Sequence, residues 1–349
     1  MSDHPTAEFG MRSEELEGLV TGALEQARGQ GADQAEAGAS LGTGLAVTVR
    51  HGDVETLEYQ RDRAFTITVY FDQRKGSAST SDLSPSAIAE GVAKACSIAR
   101  YTAQDACAGL ADAQLMATDL PALGLDHPWS VTPDEAIQLA TRCESAGRDS
   151  DERISNSEGG SVNTARRARV YGNSHGFVGS YASTSHSLSC ILVAGADDGM
   201  ERDFWYSSSR DPAALMSPEA VGKMAAERTL RRLGGRKIET CSAPVIFPAE
   251  LARGLLASFV SAITGTAQYR RASFLLDAVG ESVFPNGFRI EEKPHLQAGP
   301  ASAPFDNEGV ATHDRVLVDD GRLQGLVLSS YSARKLGLQT TGNAGGIHN

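Results

Sequence analysis

The chain has 349 residues, 41% hydrophobic and 22% charged, with a formal net charge of −12. That length can bury a large core and is enough for two domains of an ordinary globular protein. The acidic balance argues against a nucleic-acid backbone or an anionic membrane as the main partner, because both select clustered Lys and Arg. The densest basic runs, Arg166-Arg167-Ala168-Arg169 and Arg231-Arg232, are short and are expected to be solvated strand or helix faces.

In chain order, Ser13-Glu14-Glu15-Leu16 opens a helix to about Arg28, with an apolar stripe of Leu16, Leu19, Val20 and Leu24. Residues 45–50, 56–59 and 65–71 alternate with β-branched and aromatic residues and predict antiparallel strands. Ser84-Pro85 caps a helix to about Tyr101. Residues 102–131 read as a loop-rich connector. Thr132-Pro133-Asp134-Glu135 is a capping box that starts a helix to about Ala146. From Arg153 to Ser209 the composition predicts four or five antiparallel strands, turned at Glu158-Gly159-Gly160, His175-Gly176 and Asp197-Asp198-Gly199. Ser217-Pro218-Glu219 begins another helix, ended by Gly234-Gly235. Val245-Ile246-Phe247 reads as a buried strand leading into an amphipathic helix. Asp320-Gly321 turns a hairpin over 316–323. The pattern is α+β in two domains. Residues 1–145 form an N-terminal domain of helices and antiparallel strands. Residues 146–349 form a β-rich C-terminal domain, expected to be incomplete because the glycine-dense segment 342–349 does not read as a natural end.

Glu250 lies on the first turn of the helix after Val245. A zinc peptidase built on such a helix needs histidines flanking that glutamate. The flanking positions here are Ala249 and Gly254, which cannot ligate a metal. The context of a metal site is present without its ligands, and a first-turn Glu is commonly held by the helix dipole alone. His175 and His186, with Ser174, Ser183, Ser185 and Ser187 nearby, raise nucleophilic catalysis. Gly172-Asn173-Ser174-His175-Gly176 fits G-x-S-x-G in letters, but a nucleophile elbow leads from a strand into a helix, and residues 177–181 read as a strand. Structural roles are favoured. The five cysteines, Cys96, Cys107, Cys143, Cys190 and Cys241, form no C-x-x-C pair. A reducing cytoplasm fits, and Cys190 is expected to be a buried inert thiol. Asp197, Asp198, Glu201 and Asp203 lack calcium-loop spacing, and Gly159-Gly160 and Gly345-Gly346 lack the Lys of a phosphate loop. No secretory leader or membrane-spanning run is expected.

Several ordered blocks carry a resemblance. They are Asn156-Ser157-Glu158-Gly159-Gly160, Tyr171-Gly172-Asn173-Ser174-His175-Gly176, residues 183–189 and 200–203, Arg270-Arg271-Ala272-Ser273-Phe274-Leu275-Leu276-Asp277, Pro304-Phe305-Asp306-Asn307-Glu308-Gly309, residues 330–337 and Gly342 to Asn349. Together they resemble the TldD/PmbA family, also called modulator of DNA gyrase, and within it the PmbA (TldE) branch. The resemblance is strong from about residue 150 onward and one of layout before it. It implies a cytoplasmic, peptide-processing protease of two related subunits. The TldD-like subunit binds zinc through H-E-x-x-x-H, and the PmbA-like subunit lacks those histidines, as Ala249 and Gly254 do here. The family also continues beyond the block matched by 342–349. The resulting expectation is a non-catalytic subunit with no cofactor of its own, zinc in its partner, an unfolded or extended peptide as substrate, and no direct contact with nucleic acid or membrane. Asn173, His175, His186, Glu250 and His348 are the residues expected to line a peptide groove. The rival reading is a peptide-binding or scaffold protein without a proteolytic role. A metal-independent hydrolase is the weakest of the three.

Overall fold

A computed structural model describes residues 11–195 and 199–349. Its frame is a six-stranded antiparallel sheet in the order β3-β2-β1-β4-β5-β6. The strands are β1 (Gln34–Arg50), β2 (Asp53–Phe71), β3 (Arg74–Thr80), β4 (Ile154–Asn173), β5 (Val178–Ala194) and β6 (Glu201–Ser209). Four helices pack on one face: α1 (Ser13–Gly29), α2 (Pro85–Tyr101), α3 (Pro133–Arg148) and α4 (Pro218–Arg231). The period of two in β1 explains the layering. Ala35, Ala37, Ala39 and Leu41 are buried under α1 and α2, while Leu45, Val47 and Val49, on the same face, are buried under α3 and α4. Each side chain moved from water contributes roughly 1.5–3 kcal/mol when large and apolar. A one-residue slip of β1 would therefore cost both clusters at once.

The helix starts follow the sequence signals. Ser84, Thr132 and Ser217 each accept a hydrogen bond from the amide three residues on, with Pro at the first helical position. The expected α+β class is the class observed. β1 and β4 pair continuously from Glu36↔Asn173 to Val49↔Gly160, so strands from both sides of residue 145 share one sheet.

After α4 the chain forms a smaller unit. It comprises α5 (Ala249–Ala262), α6 (Gly265–Tyr269), β7 (Ile290–Glu292), β8 (Arg315–Asp319), β9 (Arg322–Leu323) and α7 (Ser330–Lys335). Its core is Phe259, Ile263, Leu317, Val318, Leu323 and Val327. It meets the sheet through Phe305, which packs edge-on against Phe177 and Tyr181. The Asp320-Gly321 turn is present, both residues at positive φ as the tight hairpin requires. Among the described residues no helix is long and apolar enough to cross a membrane.

Three expectations are corrected. Glu158-Gly159-Gly160 is not a turn. It is a bulge inside β4, with register shifts against β5, so residues 153–209 hold three long strands rather than four or five. Gly159 sits at φ 111° with Val49 O where a Cβ would go, and Gly160 lets the backbone of α3 approach β4. Val245-Ile246-Phe247 forms no strand: Ile246 is 93% exposed, and the segment crosses the surface. An apolar run fixes a strand only where a partner edge meets it. Arg166 is not solvated. It is buried in β4, with bidentate hydrogen bonds of 2.9 and 2.7 Å to Asp126. The His175-Gly176 turn is present between β4 and β5, whereas Asp197 and Asp198 lie outside the described residues.

Candidate active-site helix and substrate cavities

The helix that raised the metal question is α5, with Ala249 and Glu250 in its first turn. Ala249, Glu250 and Gly254 are all exposed. A Cβ at Gly254 would meet nothing within 4 Å, so space for a side chain exists and only the ligand is missing. Among the described residues no group of three His, Cys, Asp or Glu is placed to hold a metal. This donor set does not fit a catalytic zinc, which takes three protein ligands, and no chemical step through zinc is assigned to this chain.

The five residues expected in a peptide groove are spread across the molecule. Asn173 and His175 share the β4–β5 turn. The Asn173 Oδ1 accepts the His175 amide at 3.1 Å, and its Nδ2 lies 3.1 Å from Met116 Sδ. His175 is exposed, its Nε2 donating to Ala111 O at 3.1 Å. His186 pairs with Thr164, nine residues along β4 from Asn173, about 30 Å at ~3.3 Å per residue. It is buried. Its Nε2 donates to His127 O (2.9 Å) and its Nδ1 accepts from Thr164 Oγ1 (2.8 Å), with Trp129 edge-on at 5.5 Å. Those partners fix one neutral tautomer, and burial lowers its pKa. His186 thus locks the connector onto the sheet. His348 is also buried. Its amide and Nδ1 lie 2.8 and 3.0 Å from Glu292 Oε1, beside Asn343 Nδ2 at 2.6 Å. Burial pushes Glu292 up, but these hydrogen bonds and the Arg315 charge outweigh it and leave its pKa lowered. The segment 342–349 is thereby anchored to β7. Cys190 is fully buried, and its pKa is raised by the neighbouring Cys143 thiol and by burial, as an inert thiol's should be.

One cavity, of about 270 Å³, is lined by His186 together with Gly44, Trp129, Thr164 and Thr184. Two others lie near Glu36, on the sheet face away from the four helices. Glu36 on β1 stands between Tyr70 on β2 and Tyr171 on β4. Tyr70 Oη donates to Glu36 Oε1 at 3.1 Å, and Tyr171 Oη donates to Oε2 at 2.9 Å. The strand register brings them together: Gln34 opposes Tyr70 and Gly38 opposes Tyr171, so each phenol reaches Glu36 diagonally. Burial raises the Glu36 pKa despite both donors, and Glu308 adds like-charge repulsion. Both tyrosine pKa values are raised by burial and then by Glu36, which keeps the phenols protonated as donors.

Two cavities share Glu36. One, of about 370 Å³, is a groove with a floor of small residues, Gly38, Ser40, Ala64 and Thr66, and Arg169 and Asn307 in its wall. The other, of about 860 Å³, reaches Lys75, the connector at 102–109, Glu308, Tyr331 and Lys335. Its far wall is α7, stapled to the connector by Asp105, which accepts from Tyr331 Oη (2.7 Å), Lys335 Nζ (2.9 Å) and the Cys107 amide (3.0 Å). The amide, Tyr331 and Lys335 bonds hold the Asp105 pKa at about 2. Sequence reading missed Glu36, Tyr70 and Glu308. Glu308 stood inside a quoted block, and Glu36 is the only charged residue in an Ala/Gly/Ser stretch over 35–42.

Asp306 closes the joint between the smaller unit and the sheet. It accepts the amides of Glu308 (2.8 Å), Val310 (3.0 Å) and Ala344 (2.9 Å), yet burial raises its pKa to about 6. A raised carboxylate stabilises the fold fully below its unfolded pKa, and that contribution is lost as pH rises through about 6. Its size is on the order of 3 kcal/mol. The Asp306 carboxyl carbon, followed by NMR, is expected to titrate near pH 6, and a midpoint below 4 would contradict the assignment.

Comparison with known proteins agrees with this architecture. The PmbA/TldA metallopeptidase domain 1, central domain and C-terminal domain match residues 35–99, 126–233 and 240–349. Metalloprotease PmbA of Escherichia coli O157:H7 is 52% identical over 334 residues, covering 96% of this chain and 74% of that protein. A metalloprotease PmbA homolog of Haemophilus influenzae is 45% identical, covering 100% and 77%. The crystal structure of a protein described as a modulator of DNA gyrase from Bacteroides thetaiotaomicron superposes with a TM-score of 0.90 at 28% identity, covering 96% of this chain and 76% of that one. TldE from Thermococcus kodakarensis shares the fold, with a TM-score of 0.73 at 17% identity over 94% of this chain and 75% of its own. The chain belongs to the PmbA/TldD metallopeptidase family.

Proposed function

We propose that this chain is a PmbA/TldE-like, non-catalytic subunit of a heteromeric zinc metallopeptidase, which holds an unfolded or extended peptide for a TldD-like zinc subunit. The observation that carries the reading is α5: Ala249 and Gly254 flank Glu250, and all three face solvent. The second support is the small-residue groove beside Glu36, since an extended backbone needs a floor without large side chains. Zinc belongs to the partner in this reading, and the cytoplasm is its compartment.

The test is affinity purification of the tagged chain at native expression. A subunit carrying H-E-x-x-x-H is expected to co-purify with it. The zinc is expected to track that subunit, and peptide hydrolysis is expected to require both chains. A chain that purifies without such a partner, or a zinc subunit fully active without it, would leave the scaffold reading in its place. Within the complex, Glu250→Ala is expected to keep activity to within a few-fold. Loss of a working general base costs typically ~10²–10⁴-fold, and a loss of that size in a folded variant would make Glu250 catalytic.

A further inference from the structure

The cavity of about 860 Å³ has a pattern of satisfied and unsatisfied groups that specifies a ligand. Most of its polar wall is already committed. Tyr331 and Lys335 are held by Asp105, and the Tyr70 hydroxyl hydrogen goes to Glu36. Two groups are not committed. Glu308 is half-buried; its Oε2 accepts the Ser330 amide at 2.9 Å, and its Oε1 has no hydrogen bond among the described residues. Lys75 is exposed on β3, lines the same cavity, and has no hydrogen bond or ion pair among the described residues. Glu308 and Lys75 line this cavity together with Glu36, and both act electrostatically on it.

We propose that this cavity binds the free amino terminus of an extended peptide, with its ammonium between Glu308 and Glu36 and its first carbonyl toward Lys75. An ammonium group brings three donors. Glu308 Oε1, the Glu36 carboxyl and the Tyr70 phenol oxygen supply acceptors on one side of the cavity. A peptide carbonyl then offers Lys75 the acceptor that it lacks. A peptide carboxylate fits worse, because Glu36, Glu308 and Asp105 outnumber Lys75 and Lys335 around the cavity. A lysine side chain offers the same ammonium, but on a four-carbon stem that favours an apolar sleeve. The wall here is mixed instead of a continuous apolar sleeve, with Gln73, Thr102 and Gln104 set beside the small residues Ala106, Ala108 and Gly109. The second cavity, sharing Glu36, provides the small-residue groove along which the following residues would run.

This proposal rests on the peptide-holding part of the functional reading and not on the zinc partner. It is tested on the full 349-residue chain alone, by calorimetric titration with an unstructured, lysine-free hexapeptide of alternating alanine and serine. The same peptide is titrated N-acetylated, and N-acetylated with one central lysine. The free-amine peptide is expected to bind at least about tenfold more tightly than either acetylated form, a difference of ~1.4 kcal/mol. Glu308→Gln is expected to reduce that preference to below about threefold, with an unchanged melting temperature. Glu36→Gln should act in the same direction, and if it fails to fold, the half-exposed Glu308 variant still decides. Equal binding of the free and acetylated peptides, or no binding of the free-amine peptide up to ~1 mM, overturns the proposal. Tight binding of the acetylated lysine peptide overturns the assignment to an amino terminus. Absence of a zinc partner in the purification above would leave this result standing, and amine-blind binding here would leave the subunit reading standing.

Discussion

Glu144→Ala is expected to destabilise the folded chain by about 2–4 kcal/mol, with Glu144→Gln intermediate. Glu144 lies on α3 and is fully buried. Its carboxylate accepts the backbone amides of His51 (2.7 Å) and Gly52 (3.1 Å), the two residues that turn β1 into β2. His51 and Gly52 sit at φ 52° and 83°, the pair of positive angles that a two-residue hairpin turn requires. For His51 that conformation carries a steric cost. The two amides converge on one anion, and each charge-assisted hydrogen bond contributes roughly 1.5–3 kcal/mol. Alanine removes both and leaves a void under the bulge at Gly159-Gly160. The turn is itself exposed, so water recovers part of the loss, which sets the upper limit. Glutamine keeps one acceptor oxygen and turns an NH₂ toward the other amide. Denaturant melts of the three proteins check the order. If Glu144→Gln proved no better than alanine, the carboxylate would be filling space rather than holding the turn.

Gly222→Ala is expected to destabilise by about 2–4 kcal/mol, while Gly254→Ala stabilises by up to about 1 kcal/mol. Both glycines sit inside helices, and their environments are opposite. A Cβ on Gly222 of α4 would run into the Cys143 carbonyl and the Gly147 amide of α3, with no flexible side-chain end to yield. The two helices touch there backbone to backbone. Overpacking a core site costs typically ~1–3 kcal/mol, and a rigid neighbour moves the cost to the top of that range or above it. Gly254 on α5 faces open space, and in an exposed helix interior Ala is favoured over Gly by ~0.8–1.0 kcal/mol. Thermal unfolding of both variants tests the contrast. A neutral Gly222→Ala would mean that α3 and α4 can slide apart at no cost, contrary to the cluster of Ala140, Cys143, Val221 and Ala225 that they share.

Much of the fold was readable because its signals are local. The caps at Ser84, Thr132 and Ser217 work through an amide three residues away, and the turns at His175-Gly176 and Asp320-Gly321 through their own backbone angles. Periodicity located α1 and the strands β1 and β2, although both strands run longer than their apolar alternation. The exposed half of β2 is mostly charged and polar, with Val54, Leu57 and Tyr59 exposed among those residues, and is held by pairing with β1 alone. The errors share one cause. Gly159-Gly160 has the composition of a turn and serves a bulge under α3, while Val245-Ile246-Phe247 has the composition of a strand and meets no partner edge.

By itself the sequence determined the α+β class, the family, and the absence of ligating side chains on either side of Glu250, because each depends on residue identity in a short window. The tertiary structure alone decided where the cavities lie. Glu36, Tyr70 and Tyr171 come from three strands, up to 135 residues apart, and only the register of β1 with β2 and β4 sets their side chains at one carboxyl group. The same register carries His186 away from Asn173 and into a bond with Thr164, beside a cavity separate from those at Glu36. Strand pairing is a long-range choice fixed by burying both apolar clusters at once, and no local pattern around Glu36 encodes it.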